Sequence, residues 1–515
     1  MLYRSTRGKC SNYSFEEAVM AGLASDGGLF IPQEFPKLPD NFLSEWKDKS
    51  FSELSFEIIS LFVDPSEIPS ADLKQIIEKS YSTFTDPDVT PLVQIDKEHD
   101  LWILELFHGP TFAFKDVALQ FLGNLFEYIL IRRNAARKSN DEPIHKLTVV
   151  GATSGDTGGA AIYGLRGKDN ISVFILHPNN RVSPIQKAQM TTVPDKNIHN
   201  VAIDGTFDNC QDIVKALFGM EEFRNKHSLG AINSINWARI LAQIVYYFHA
   251  YFQLVRAGHS DPKIVFFTPT GNFGDILAGY YAHRLGLPVE KLIVSTNAND
   301  ILDRFFKTGR YEKGSHGVLE TPSPAMDILI SSNFERLLWY LAYESETTES
   351  DESLKVSEAS NIVANWMENL KTHGCIEVKP ETLAHSRKIF MSGATDDQKI
   401  YQTIKHYYDI ESSETKTKYL LDPHTAVGVN IANSLKQTLS SDLGGKSFKS
   451  VCLSTAHPSK FVEAVNHSLA DITPKFDHNT ILPDQFVGIL DREQRCTHLP
   501  NNNQAVIDFI ETTLN

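Results

Sequence analysis

The stretch His108-Gly109-Pro110-Thr111-Phe112-Ala113-Phe114-Lys115-Asp116 places a lysine where a solvated charge is not expected. Apolar residues precede Lys115, and Val117, Leu119, Phe121, Leu122, Leu125, Phe126, Ile129 and Leu130 follow it at helical spacing with little polar face. Such a helix is buried, and Lys115 stands at its N-terminus. The positive end of the helix dipole and poor hydration both disfavour an ammonium there. A lysine of lowered pKa is a nucleophilic amine suited to a Schiff base. The alternative is an ion pair with Asp116, which perturbs a pKa just as well.

Around this segment the chain alternates strands and helices. Leu101–Phe107, Leu147–Val150, Ser172–Leu176, Lys263–Phe267, Leu292–Ser295 and Val451–Ser454 read as short apolar strands. Strands separated by helices predict a parallel α/β sheet with crossovers. Residues 14–90 read instead as helices broken by prolines, among them Ser14–Leu23 with Ser14 as N-cap and Ala71–Phe84. The acidic run Tyr343–Ser353 reads as a solvated linker, and Glu411–Lys418 as a second polar stretch.

In open α/β sheets ligands gather at the carboxyl ends of strands. One strand end carries Gly151-Ala152-Thr153-Ser154-Gly155-Asp156-Thr157-Gly158-Gly159 before a helix at 160–165, an arrangement of amides and hydroxyls for an anion, or a turn that needs small residues. A second carries Pro269-Thr270-Gly271-Asn272-Phe273-Gly274-Asp275 before the helix 276–284, a phosphate cup without a lysine. A third, Leu453-Ser454-Thr455-Ala456-His457-Pro458, offers a hydroxyl to a ligand nitrogen or forms an ordinary turn. Asn233-Ser234-Ile235-Asn236-Trp237-Ala238-Arg239 leads into a further helix, with Arg239 either a phosphate ligand or a solvated surface arginine behind an N-cap.

Composition removes several function classes. Among 515 residues, 49 basic side chains face 64 acidic ones, a net charge of −15, so nucleic acid and membranes are not expected partners. Met1–Arg7 lacks the apolar stretch of a secretory signal, and no run of about 18 apolar residues spans a bilayer. Five scattered cysteines form no Cys-x-x-Cys pair, which predicts a reducing, cytoplasmic setting and no metal site. The Gly-x-Gly-x-x-Gly order is missing. Gly445-Lys446-Ser447 resembles the end of a P-loop, but its first glycine falls at Ser440, which disfavours an ATP-dependent phosphotransferase.

Taken together, a lysine after an apolar strand, a Ser-Gly-x-Thr-Gly-type loop, a glycine-rich cup and a late Ser/Thr at a strand end resemble the fold-type II pyridoxal-phosphate enzymes. YRSTRG at 3–8, DGGLFIP at 26–32, HGPTFAFKD at 108–116, GATSGDTG at 151–158, NSINWAR at 233–239, GNFGD at 271–275, SPAMDILISSNFERLLW at 323–339, DPHTAVG at 422–428 and LSTAHP at 453–458 are similar, in order, to the threonine synthase family in its longer fungal and bacterial form. The resemblance implies two open, mostly parallel twisted sheets flanked by helices, with a mainly helical N-terminal domain over 1–90. It also implies a large cofactor domain over 91–140 and 231–515 and a smaller inserted α/β domain over 141–230.

It further implies pyridoxal 5'-phosphate as cofactor and conversion of O-phospho-L-homoserine and water to L-threonine and phosphate. Lys115 would carry the covalent link to the cofactor. Gly271, Asn272, Phe273, Gly274 and Asp275 would hold its phosphate, and Thr455 would face its pyridine nitrogen. Thr153, Ser154, Gly155 and Thr157 would hold the substrate carboxylate, and Asn233, Ser234 and Arg239 the substrate phosphate. Many relatives carry Asn at the place of Asp156, where the amide contacts the cofactor 3′-oxygen. An anionic Asp156 beside a phenolate is repulsive, so a shared proton or an outward-facing side chain is expected. The alternatives within the resemblance are a phospho-lyase releasing 2-oxobutanoate and a cofactor-binding homologue without catalysis. The roles of 323–339 and 422–428, and the oligomeric state, stay open.

Overall fold

The computed structural model describes residues 1–514 except 140, 180–181, 231, 315–316 and 411. Glu411, the start of one expected polar stretch, and the domain boundary at 231 therefore lie outside the described residues.

Two open sheets dominate. The larger has six strands in the order Phe390–Ala394, Val289–Thr296, Ile264–Pro269, Lys449–Ser454, Leu101–Glu105 and Leu92–Asp96. All pair in parallel except the last, which runs antiparallel at the edge. The smaller is wholly parallel, in the order Thr497–Pro500, Ile198–Asp204, Ile171–Pro178, Leu147–Ala152 and Leu229–Gly230. Strands buried on both faces explain the near-continuous apolar runs, such as Ile264–Pro269, which is buried throughout. The two expected parallel sheets are thus present. The expected large domain is corrected at its end. Thr497–Pro500 pairs with Ile198–Asp204, and Val506 and Ile510 of the terminal helix Asn503–Leu514 join the apolar core of the small sheet. Thr-His-Leu-Pro is too short to signal which sheet it joins.

The N-terminal helices Phe15–Ala21, Phe51–Ile59 and Ser70–Tyr81 form as expected, with Ser14 closing a capping box on Glu17. Ser70–Tyr81 docks on the lysine-bearing helix Lys115–Ala135, where Tyr81 OH donates to the Val117 carbonyl at 3.3 Å and Asn124 Nδ2 donates to Ser80 Oγ at 3.0 Å, while Phe51–Ile59 packs on the helix Trp237–Arg256. The acidic run 343–353 holds the expected exposed loop at residues 348–351, with helix on either side. It ends one helix (Phe334–Ser345) and caps the next through Asp351, while buried Glu346 accepts a hydrogen bond from Thr382 Oγ1 at 2.5 Å and pairs with Lys379 at 2.8 Å. Charge content alone does not reveal a buried carboxylate that has found its partners.

The lysine helix crosses the helix Asp156–Leu165 at two glycines. A Cβ on Gly123 would fall 2.0 Å from the Gly164 carbonyl oxygen, and one on Gly164 would fall 2.5 Å from the Leu119 carbonyl oxygen. Backbone contact of this kind fixes the spacing between Lys115 and the loop 153–157. Gly164→Ala is expected to destabilise the chain by about 1–3 kcal/mol, because backbone must move. Gly219→Ala, with no atom within 4 Å of the added carbon, is the control. Equal melting temperatures for the two variants would refute the close crossing.

Candidate active site

The turn before Lys115 is wound around Asp116. Thr111 donates to that carboxylate from both its backbone N–H and its hydroxyl, each at 2.7 Å. Phe112 adopts a left-handed φ of 56°, and a Cβ on Gly109 would lie 2.4 Å from the Asp116 Cβ. Burial pushes the Asp116 carboxyl up to about 6. The ion-pair alternative for Lys115 therefore fails: Asp116 is spent on the turn, and among the described residues Lys115 Nζ makes neither an ion pair nor a hydrogen bond, with only the Phe114 ring beside it at 5.8 Å. Lys115 is half-buried at the helix N-terminus, and lost hydration lowers its amine from 10.5 to about 8.

The strand end at Thr455 zips onto this turn. Its carbonyl accepts from the Phe114 N–H at 2.7 Å, the His457 N–H donates to the Phe112 carbonyl at 3.0 Å, and Ala113 and Ala456 pair as an antiparallel bridge. Buried Thr455 thus sits within one residue of the lysine loop.

At the cup, the N–H groups of residues 271–275 have no acceptor among the described residues. Phe273 holds a left-handed φ of 62°, and its buried ring packs edge-on against Phe334 at 5.2 Å. A backbone strained in this way at a bulky residue persists because the surroundings enforce it. The enforcement comes from 323–339, whose role sequence reasoning left open. Ser331 Oγ donates to the Gly271 carbonyl at 2.7 Å, and Asn333 N–H and Nδ2 donate to the Asn272 carbonyl at 3.1 and 3.0 Å. Buried Arg336 donates to Asn333 Oδ1 at 2.5 Å, to the Phe30 carbonyl at 2.9 Å and to the Ile235 carbonyl at 2.7 Å, so one guanidinium ties the N-terminal hairpin to the cup. His424 of the 422–428 motif accepts from the Ala325 N–H at 3.1 Å and gives its other ring N–H to Asp422 at 2.9 Å, a tautomer set by these partners. The Asp275 carboxylate is turned into the protein: it accepts from Tyr246 OH at 2.5 Å and Tyr247 OH at 3.0 Å, and burial raises it to about 7, so its N–H is what it offers to the cup.

In the loop after Leu147–Ala152, Thr153 is turned into its own backbone. Its hydroxyl accepts from the N–H groups of Gly155 at 3.0 Å and Gly158 at 2.8 Å. The N–H groups of Ser154, Asp156 and Thr157 have no acceptor among the described residues. Asp156 is not outward-facing. It is 8% exposed, and Lys460, wholly buried, donates to its Oδ1 at 2.6 Å, with Gln186 Nε2 at 2.9 Å. The ammonium of Lys460 holds that carboxyl well below the usual range against the cost of burial.

Asn233 and Ser234 do not cap their helix. Asn236 does, accepting from the Ala238 N–H at 3.1 Å. Arg239 is not on the surface either. It is 4% exposed, and among the described residues its Nε has no partner and its guanidinium makes one hydrogen bond, to the Ile232 carbonyl at 3.4 Å. Burial without a carboxylate lowers its guanidinium to about 10. A cation left so poorly matched is a receptor for an anion.

Pyridoxal phosphate fits this donor set: an unpaired amine of lowered pKa, a cup of free amides for a phosphate, and a second cationic pocket. Family models match the chain in three consecutive blocks, Threonine synthase N terminus over residues 2–81, Pyridoxal-phosphate dependent enzyme over 84–384 and Threonine synthase, C-terminal over 425–510. The threonine synthase of Schizosaccharomyces pombe is 52% identical, covering 99% of this chain and 98% of that protein; the one from Pseudomonas aeruginosa is 44% identical at 99% and 98%. Among solved structures, threonine synthase from yeast superposes with a TM-score of 0.92 at 50% identity over 100% of this chain and 98% of that one. The pyridoxal-phosphate-bound threonine synthase from Brucella melitensis gives 0.86 at 40% identity over 100% and 99%. With its two sheets, its free lysine and relatives matching end to end, the chain belongs to the threonine synthase family of fold-type II, pyridoxal-phosphate-dependent enzymes.

Proposed function

We propose that the chain converts O-phospho-L-homoserine and water to L-threonine and phosphate, with Lys115 as the residue that holds the cofactor and moves protons. The observation that carries this reading is the unpaired Lys115 amine, set beside Thr455 at the carboxyl end of the large sheet.

Lys115 would bind the cofactor aldehyde, the N–H groups of Gly271, Asn272, Phe273, Gly274 and Asp275 its phosphate, and the Thr455 hydroxyl its ring nitrogen. When bound, pyridoxal phosphate withdraws electrons from the substrate carbon that is to lose its proton. The chain's own residues supply the rest. Lys115, whose lowered proton affinity leaves an appreciable neutral share near neutral pH, takes the Cα proton in that form. The free N–H groups of Ser154, Asp156 and Thr157 receive the substrate carboxylate at a helix N-terminus. Thr153 and Gly155 shape that loop. Loss of a Cβ proton then supplies the electron pair that expels phosphate from Cγ, and the Arg239 guanidinium, with Asn233 and Ser234, binds the substrate phosphate and stabilises it as it departs. Cγ takes up a proton, water adds its hydroxyl at Cβ, a proton returns to Cα, and threonine is released. A threonine hydroxyl at the ring nitrogen donates no full proton as a carboxylic acid would, which tempers unwanted racemisation.

Purified chain supplied with cofactor and O-phospho-L-homoserine is expected to release threonine and phosphate in equal amounts. Phosphate accompanied by 2-oxobutanoate in place of threonine would establish the phospho-lyase instead, and release of neither would establish a catalytically silent relative.

A further inference from the structure

We infer that Lys460 is a positioning residue whose ion pair with Asp156 clamps the small sheet's first helix onto the lysine turn and sets the proton affinity of Lys115. This rests on the role proposed for Lys115.

Lys460 lies in the short turn Pro458–Lys460 that follows Thr455, with no exposed surface. Besides Asp156 it donates to the Thr111 carbonyl at 2.7 Å. Asp156 is the first residue of the helix Asp156–Leu165 and is held from its other side by Gln186. Thr111 in turn clamps Asp116. Gln186, Asp156, Lys460, Thr111 and Asp116 therefore form one continuous polar chain from the small-sheet side to the large-sheet side, ending next to Lys115. A buried ion pair is a poor source of net stability compared with an apolar pair of the same volume. One tied through Thr111 to the turn that carries the reactive amine has an electrostatic reason to be there.

Four charged groups bear on Lys115: Asp156 and Asp116 favour its protonated form, and Arg239 and Lys460 oppose it. Lys460 and Asp156 act on Lys115 with opposite sign. Silencing Lys460 leaves Arg239 alone to oppose the two carboxylates and raises the proton affinity of Lys115. Silencing Asp156 leaves Arg239 and Lys460 opposed only by Asp116 and lowers it. A merely structural pair gives no such opposition of sign.

The test uses full-length K460M, D156N and the double variant. Two pH midpoints are read: labelling of Lys115 by a small neutral amine-reactive reagent in the cofactor-free chain, and the absorbance change of the cofactor-loaded chain without substrate. The midpoint is expected to rise by about one pH unit or more in K460M and to fall by a similar amount in D156N. In D156N/K460M it lies between the midpoints of the two single variants. Midpoints that stay put, or that move the same way in both single variants, overturn the inference. If K460M does not fold, D156N and the double variant decide, since the fall and its reversal are required of them alone. The borohydride-reducible adduct is expected in all three. An unmoved midpoint with the adduct intact removes only the role of Lys460, whereas an adduct that survives loss of Lys115 removes the reading beneath it.

Discussion

Lys115→Ala is expected to abolish the borohydride-reducible cofactor adduct and to lower threonine formation by at least about 10³-fold, since nucleophile and general base are lost together. The fold should survive. Lys115 Nζ has no ion pair or hydrogen bond among the described residues, so its removal strands no buried partner. Lys115→Arg separates charge from reactivity. A guanidinium keeps its proton at any working pH and cannot form the covalent link, so this variant should be as inactive as the alanine one. The pH dependence has a definite sign. With the amine lowered to about 8, Lys115 is protonated and unreactive below that pH, and its labelling rate rises through about 8 to a plateau, well short of the 10.5 of an ordinary lysine. A labelling midpoint near 10.5, or an undiminished adduct in Lys115→Ala, would remove Lys115 from its proposed role.

The parts of this site that can be read from sequence are those written in local chemistry. The lysine turn announces itself because a charge precedes a helix with no polar face, and the contacts that wind the turn itself, Thr111 with Asp116 and Phe112 with Gly109, span five residues or fewer. The cup at 271–275 and the loop at 153–157 are visible because glycines and hydroxyls cluster where a strand gives way to a helix. Of the two readings of Arg239, the solvated surface arginine fails for a reason legible in its helix. Its helix Trp237–Arg256 carries buried Trp237, Ile240, Leu241, Ile244, Tyr246, Tyr247 and Phe248 on every side, so it has no solvent face to offer. Lys460, Gln186 and Arg336 were illegible for a different reason. Each is defined by a partner distant in sequence, such as Asp156 for Lys460 and Phe30 for Arg336, and nothing in their immediate neighbours distinguishes them from solvated residues. The strand Thr497–Pro500 is likewise made a strand by the edge it meets rather than by its own four residues.

Arg239→Met is expected to move stability and function in opposite directions. In the ligand-free chain the guanidinium is buried with an orphaned Nε and no carboxylate within salt-bridge reach among the described residues, a net cost that a methionine of similar length avoids. The melting temperature of the cofactor-free variant should therefore be unchanged or higher. The same substitution deletes the one buried cation proposed to meet the substrate phosphate. Losing a charge-assisted contact in a desolvated pocket costs about 2–5 kcal/mol, so kcat/KM for O-phospho-L-homoserine should fall by about 10²-fold or more. Cofactor affinity should change far less, because the cup at 271–275 grips through backbone N–H groups that Arg239 does not touch. Fluorescence titration of the cofactor, steady-state kinetics and thermal melts on one preparation separate these effects. A variant that loses stability, cofactor and substrate binding together would show Arg239 to be a packing residue. One that keeps its affinity for the phosphorylated substrate would send the search for the second phosphate site elsewhere in the cleft.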